Sequence, residues 1–365
     1  MRITIVGAGA IGCYLGRLLR KYGFSPLILE EHSEIGVPKH CAGLVGSSFF
    51  TSSRVSLPQD IIIKNQVDGA IISYQNQSFM LKREKVAFVI DREKLDKKLS
   101  EGLEVKKEAK LLTLEKRGEE YLLYTNKGTF RSTLVVGADG ATSTVRKISR
   151  LKLKPTYFRG IQFRIHQKIT PQNMVQVDFT RPFLHFCWLI PEDEKIIRVG
   201  SISPDPLKSL ESFMKKKKIK GKIIEKMGGI LSIGYGEICK EGIFLVGDAA
   251  CQVKPLSGGG LYYGMRGAEI LADCIKEGNL SSYNAKWKKG TGKEIKSALK
   301  IRKILEKTSL TFLKNLFNLV QKNSHLIEEF ADFEHHSVGV FAVIKRLGIA
   351  LPGTLLKTAP RSEFP

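Results

Sequence analysis

The chain has 365 residues, 42% of them hydrophobic and 26% charged, with a mean hydropathy of −0.10, the balance of an ordinary globular protein of about two domains. Lysine and arginine total 59 against 36 acids, a formal charge of +23. That excess favours anionic partners such as phosphates or an anionic membrane surface, and no recognisable nucleic-acid module accompanies it, so nucleic acid is set aside.

Taken in order, Met1–Val6 predicts a short buried strand that runs straight into Gly7-Ala-Gly9-Ala10-Ile11-Gly12. The residues from Cys13 to Lys21 then have the apolar spacing of a helix. Strand, glycine turn and helix in this order form a dinucleotide fingerprint. Gly7 permits the tight turn, Gly9 admits a pyrophosphate to the backbone, and Gly12 lets helix and strand pack closely. Pro26–Glu30 predicts the second strand and delivers a carboxylate about twenty residues on, where ribose hydroxyls are bound.

Glu31 opens a loop rich in glycine and proline, through Gly36, Pro38, Cys41, Ala42 and Gly43, more elaborate than a connection needs. Cys41 is either a small buried residue or part of a site. Alternation at Gly69–Tyr74 and Ser78–Leu81 predicts antiparallel strands of a second domain. Val86–Ile90 leads to Asp91, a candidate N-cap, and a helix with Leu95 and Leu99 on one face. Arg92 at that helix start opposes the helix dipole and suggests a phosphate or flavin contact, the alternative being a solvated arginine.

A hairpin region is expected across 104–130, then a buried strand Thr133–Gly137 closing on Asp139-Gly140, at the carboxyl end where open α/β sheets bind ligands. From 154 to 236 period-two stretches return and predict an antiparallel sheet. The basic run from Met214 predicts a short, solvated helix. Gly242–Val246 predicts a strand that brings Gly247-Asp248 to its end; Pro255 and the run Gly258-Gly259-Gly260 then open a long helix, whose free N–H groups suit negative charge. The remainder is helical and basic, with amphipathic stretches at 310–322 and 338–351 that either pack on the core or form a lid over a greasy pocket touching a membrane.

Six cysteines stand far apart, with no CxxC pair or zinc spacing, so neither a disulfide framework nor a metal site is expected. No apolar run approaches the ~20 residues of a membrane span, and strand begins at the first residues with no room for a signal peptide. A cytoplasmic protein, peripheral at the inner face of the cell membrane, is the expectation.

These motifs resemble the FAD-dependent geranylgeranyl reductases, within the broader p-hydroxybenzoate hydroxylase fold. The resemblance covers nearly the whole chain: Gly7-x-Gly9-x-x-Gly12 with Glu30, Gly36-x-Pro38-x-x-Cys41-x-Gly43, Ile90-Asp91-Arg92, Gly137-Ala-Asp139-Gly140, and Gly247-Asp248-Ala-Ala through Gly260. Phe186-Cys-Trp188-Leu-Ile190-Pro191 is similar to the reductases' Tyr-x-Trp-x-Phe-Pro element. It departs in having Phe for Tyr, Ile for Phe, and Ser201-Ile202 where a downstream glycine would fall. It also stands one residue from the Trp-x-Trp-x-Ile-Pro of flavin-dependent halogenases.

The resemblance implies an α/β protein with a Rossmann-type FAD-binding domain (1–64, 86–150 and 237–285). An interleaved antiparallel-sheet substrate domain (65–85 and 151–236) and a C-terminal helical region (286–365) complete it. It implies that Gly7, Gly9 and Gly12 hold the pyrophosphate, with Glu30 at the ribose and Val105 at the adenine through its backbone, and that Ala10, Ile11 and Glu31 also belong to the cofactor site. Arg92, Asp139, Gly140, Gly247, Asp248 and Pro255 would complete the FAD site. Cys41, Ala42 and Gly43 would lie beside the isoalloxazine, with Gly258, Gly259 and Gly260 at its pyrimidine edge. Phe186, Trp188, Ile190 and Pro191 would line a prenyl pocket.

The implied activity is saturation of C=C bonds in geranylgeranyl chains of an isoprenoid glycerophospholipid. A ferredoxin or other small carrier, or NAD(P)H, would supply electrons. The competing readings are an oxygen-using flavin monooxygenase or halogenase, and an electron-transfer flavoprotein dehydrogenase, for which the scattered cysteines offer no iron–sulfur module.

Overall fold

The computed structural model describes residues 1–330, 333–335 and 337. The chain starts with β1 (Ile3–Val6), α1 (Ala10–Lys21) and β2 (Leu27–Leu29), followed by β3 (Leu44–Gly46) and two short helices, α2 (Ser48–Thr51) and α3 (Gln59–Ile62). A long hairpin of β4 (Ile63–Tyr74) and β5 (Gln77–Ile90) leads into α4 (Arg92–Ser100) and β6 (Glu104–Lys106). Then come β7 (Leu111–Arg117), β8 (Glu120–Thr125), β9 (Gly128–Ser132), β10 (Leu134–Gly137) and α5 (Thr144–Ser149). Four strands follow, β11 (Thr156–His166), β12 (Val175–Arg181), β13 (His185–Pro191) and β14 (Ile196–Ile202), then α6 (Pro206–Lys216) and β15 (Lys222–Ile233). The last part holds β16 (Cys239–Lys240), β17 (Ile243–Leu245), α7 (Leu261–Lys276), α8 (Tyr283–Lys289), α9 (Gly292–Lys307), α10 (Leu310–Lys322) and α11 (Ser324–Phe330).

Two sheets organise these elements. The first runs β16-β17-β10-β1-β2-β6, parallel except for the β16 edge. Its central strands β1 and β10 are buried at every position, as a parallel sheet covered on both faces requires. Helix α1 packs close to this sheet because Gly16 has no side chain: a Cβ there would stand 3.1 Å from both Ile28 and Leu103.

The second sheet runs β15-β11-β14-β13-β12-β4-β5-β3, antiparallel except where β12 meets β4. Period-two alternation gives it two faces. Phe163, Ile165, Cys187, Leu189, Ile197 and Val199 point to one side and form a core with Leu210 and Phe213 of α6. Phe186, Trp188 and Ile190 point to the other side, toward the cavity described below.

Strand pairing differs from the sequence division at three places. Leu44–Gly46, Ile63–Lys64 and Val86–Ile90 belong to the second sheet, although the division set them with the nucleotide-binding part. The reason is burial: Ala87 and Val89 are buried with Val67 and Val175, so β5 resumes its pairing with β4 beyond an irregularity at residues 83–86 and runs on to the α4 cap. The hairpin region resolves into β6 on the parallel sheet and a separate three-stranded sheet of β7, β8 and β9. The expected cap is present, Lys94 N–H donating to Asp91 at 3.1 Å. The apolar stretch 338–351 lies outside the described residues. No helix of the described residues is long and apolar enough to cross a membrane.

Candidate active site

The glycine turn after β1 is shaped by what a side chain would strike. Gly7 has φ +103°, and a Cβ there would lie 2.5 Å from the Ala138 carbonyl oxygen, while one on Gly12 would overlap the Gly7 carbonyl. Gly9 is the opposite case, with nothing within 4 Å of its Cβ position, so its backbone faces open cavity at the start of α1. Glu30 stands beside this turn, 8% exposed, its carboxylate accepting from Ala8 N–H at 2.7 Å and from His32 N–H at 3.0 Å.

Beside the glycine turn, Asp139 follows β10, the strand paired with β1. Its carboxylate accepts from the Ser143 hydroxyl at 2.5 Å and from Thr144 and Val145 N–H at 2.7 and 3.1 Å. Burial raises its pKa against these hydrogen bonds. The side chain therefore anchors the start of α5, and it is the residue's position, with open Gly140 after it, that lines the cavity.

Asp248 stands at the end of β17. Burial raises its pKa, while the charges of Arg92 and Arg146 lower it. A Cβ on Gly260, the residue capping α7, would fall 2.7 Å from the Asp248 carboxylate, so only glycine lets the helix start approach it. Arg92 is no solvated arginine: its Nη2 stands 3.2 Å from Asp96, and its guanidinium faces Cys41. Its Nε is buried with no partner, and so is the Ser257 hydroxyl. Both residues line the same cavity. Two orphaned buried polar atoms, an open Gly9 cradle and a helix start at Gly260 form a donor set that fits a dinucleotide.

The cavity is continuous and large, about 2180 Å³. One end runs from Gly7 and Glu30 to Ala109 and Leu111; the other is an apolar tunnel between the second sheet and helices α9–α11. Cys41, Ala42 and Gly43 line the stretch between, Ala42 and Leu44 packing on the tunnel cluster of Val67, Val89, Val175 and Ile190. Trp188 lies across Gly200, where a Cβ would overlap its ring, and its indole N–H donates to Gln162 Oε1 at 2.8 Å. Ile202, in place of the family's glycine, lies on the cavity wall and would be 3.5 Å from a Cβ on Gly258. Phe317 of α10 is buried behind this wall, its ring centroid 6.4 Å from that of Phe179, which lines the cavity, and 5.7 Å from that of Tyr74.

Four expected residues stand back from the wall. Gly12 is spent against Gly7, and Val105 is paired through β6 with Ile28 of β2, leaving Ala109 to line that end of the cavity. Pro255 accepts from Arg302 at 2.9 Å and Pro191 from Asn65 at 2.9 Å, both through backbone carbonyls behind the lining. Glu31 lines the cavity, paired with Lys110 at 3.0 Å.

Several wall residues carry no local sequence signature. Lys254 is 6% exposed, its ammonium 2.9 Å from the Phe333 carbonyl, 3.1 Å from the Glu334 carboxylate and 4.3 Å from the Phe333 ring centroid. Through this pair Phe333 and Glu334 close one side of the cavity. Gln162 is 5% exposed and its Nε2 has no partner. A lysine between the GDAA turn and the glycine run was visible in the sequence; its partner 80 residues on was not.

A nucleotide-binding sheet sharing one cavity with an antiparallel sheet is the p-hydroxybenzoate hydroxylase-like architecture of FAD-dependent oxidoreductases. The NAD(P)-binding Rossmann-like domain family matches residues 5–39. An uncharacterised protein of Methanocaldococcus jannaschii is 30% identical, the alignment covering 97% of either chain. The digeranylgeranylglycerophospholipid reductase of Methanococcus vannielii is 25% identical over 88% of this chain and 90% of its own. A crystal structure described as geranylgeranyl bacteriochlorophyll reductase-like, from Thermoplasma acidophilum, superposes with a TM-score of 0.80 at 20% identity, covering 98% of both chains. The chain belongs to the geranylgeranyl reductase family of flavoproteins.

Proposed function

We propose that the protein is a FAD-dependent reductase that saturates C=C bonds of geranylgeranyl chains carried on an isoprenoid glycerophospholipid. The single observation that carries this reading is the continuous cavity: a glycine-lined polar end opening, past Cys41, into an aromatic and aliphatic tunnel. The substrate named for the M. vannielii relative is a lipid of this class.

In this reading Gly7, Gly9, Ala10 and Ile11 present backbone to the pyrophosphate, Gly12 holds the helix close, and Glu30 and Glu31 serve the ribose. Arg92, with its unpartnered Nε, and Asp248 bind the sugar–phosphate stretch, with Asp139 and Gly140 as the adjoining wall. Gly247 and Pro255 shape the turns, and Gly258, Gly259 and Gly260 deliver the free N–H groups of α7. Held by these residues in its reduced form, FAD would supply the hydride for one carbon of the alkene, the other carbon taking a proton. An isolated alkene has no carbonyl to take up charge, so the chain's own contribution is to hold it at near-attack distance in a dry cavity. Trp188, Phe186 and Ile190 form that wall, backed by Pro191, with Cys41, Ala42 and Gly43 at its inner end.

A lipid substrate resides in a membrane, and the basic surface fits an anionic one. Leu310 and Phe312 at the start of α10 are 53% and 52% exposed, and Phe312 also lines the cavity. A small electron-carrier protein such as a ferredoxin, or NAD(P)H, reduces the flavin.

The test is anaerobic. The flavin of the purified protein is reduced chemically, a geranylgeranylated phospholipid is added, and flavin reoxidation is followed with the lipid's mass. Reoxidation with the mass rising in steps of two hydrogens supports the reading. A flavin that stays reduced until air is admitted would sink it and favour an oxygen-using monooxygenase or halogenase.

A further inference from the structure

The segment Lys39–Gly43 has no helix or strand of its own, yet it carries Cys41 at the junction of the two ends of the cavity. Its anchors lie mainly on the second sheet. His40 Nδ1 stands 2.8 Å from the Gly228 carbonyl of β15, and Lys39 pairs with Glu225 of the same strand at 3.0 Å. Ile90 N–H donates to the Gly43 carbonyl at 2.7 Å. Arg198 of β14 donates through Nη1 to the Ala42 carbonyl at 2.7 Å and to the Ile90 carbonyl at 3.1 Å.

Arg198 is itself fixed. Its Nε donates to Glu192 at 2.8 Å, and Arg164 grips the same carboxylate through Nε and Nη2 at 2.8 and 2.7 Å. Arg164 also reaches Glu225 at 2.8 Å, which returns the network to Lys39. Both Glu192 and Arg198 are buried, at 2% and 6% exposure. Removing one partner of such a pair leaves a buried charge unmatched, so the network holds a single arrangement. Gly43 completes it: φ is +70°, and a Cβ there would overlap Arg198 Nη1 and stand 2.6 Å from the Ile90 carbonyl. The glycine is what admits the guanidinium to the loop backbone.

We propose that Arg198, clamped by Glu192 and Arg164, is a positioning residue that fixes the Cys41 segment between the cofactor end and the tunnel. Arg198 is not itself part of the cavity lining; it acts from behind the wall, through the Ala42 carbonyl. The inference takes Cys41 to lie in the active site, as the proposed function does.

The test reads the thiol directly, in the FAD-loaded full-length protein without lipid, so its result is independent of whether prenyl reduction is the reaction. The rate of iodoacetamide labelling is mapped by peptide mass at Cys41, with partly buried Cys239 and fully buried Cys13 as internal references. Arg198→Ala is expected to change the Cys41 rate roughly tenfold, the effect of losing charge-assisted hydrogen bonds on a local opening equilibrium, with Cys239 and Cys13 unchanged. Arg198→Lys, which keeps the charge but reaches fewer acceptors, should fall between. Gly43→Ala, which expels the guanidinium, should reproduce the Arg198→Ala rate. Should Arg198→Ala fail to fold, Glu192→Gln keeps the shape of the network and is expected to change the Cys41 rate at least threefold. A Cys41 rate within twofold of wild type in the folded variants overturns the proposal, as does a change shared equally by Cys239 and Cys13, which would mark general loosening.

Discussion

The two ends of the cavity are built on different physical terms. At the nucleotide end the backbone does the work: Gly7, Gly12 and Gly260 are there because a Cβ would strike a carbonyl or a carboxylate, and Gly9 leaves its backbone open to the cavity. Such a requirement is local, fixed by φ and by the next turn of chain, and it imprints a short motif. At the tunnel end side chains do the work, and they come from β4, β5, β12, β13, α10 and the segment at Phe333. Each is only one apolar residue in an alternating strand or amphipathic helix, and only the assembled fold makes them one surface. Tolerance should differ accordingly, single atoms mattering at one end and summed volume and area at the other.

The largest effect tests the backbone end. Gly12→Val forces a side chain into the Gly7 carbonyl and should cost roughly 3–5 kcal/mol and abolish flavin retention, read as loss of the 450 nm region absorbance on purification. Retained flavin would mean that the turn can relax and that the contrast between the ends is weaker than argued.

Next is the Lys254–Glu334 pair, which joins the two ends. Lys254→Met removes the buried ammonium from the Glu334 carboxylate and should destabilise by about 3 kcal/mol in denaturant melts. Lys254→Met with Glu334→Leu should recover much of that loss. No recovery would show that Lys254 contributes through Phe333 and its own packing instead.

The network behind the Cys41 segment predicts a pH dependence. Burial alone would raise Glu192, but Arg164 and Arg198 outweigh it and hold its pKa at about 2, against an ordinary 4.5. A depressed carboxylate stabilises the fold above its unfolded pKa and ceases to do so as pH falls through the folded one. The stability gap between wild type and Glu192→Gln should thus be on the order of 2 kcal/mol at neutral pH and shrink from about pH 4.5 toward pH 2. A gap independent of pH would remove the ion pair from the account.

The smallest effect lies outside the tunnel. Leu310→Ser removes an apolar side chain that is 53% exposed and lies off the cavity lining, and should weaken binding to phosphatidylglycerol vesicles roughly threefold, leaving binding of a short soluble prenyl alcohol unchanged. Equal binding to vesicles would move the docking face elsewhere.

Sequence legibility follows the same division. The fold class, the GxGxxG turn, Glu30, Asp248, the Asp91 cap and the glycine run at α7 were all readable, because each is enforced within a few residues. Asp139 was readable as a cavity position but not as the anchor of α5, since its partners Ser143–Val145 suit either use. That Val105 pairs with Ile28 at the sheet edge while Ala109 lines the cavity was not legible, because β6 is too short to show it. Lys254–Glu334, Trp188–Gln162 and Arg198–Ala42 join residues 80, 26 and 156 positions apart, and no spacing rule connects them. That the strand through Val86–Ile90 pairs with β4 was not legible, because alternation reports burial, not the identity of the pairing strand.

The central claim is that one cavity seats a flavin and a prenyl chain end to end, and it is tested most directly by a chain-length series. Prenyl phospholipid analogues of one to four isoprene units are titrated into the oxidised flavoprotein, and the perturbation of the flavin spectrum gives Kd. The tunnel predicts that each added unit tightens binding, by roughly tenfold for the apolar area it buries, while the size of the spectral change stays constant. A Kd independent of chain length, or a tight complex that leaves the flavin spectrum untouched, would contradict the account.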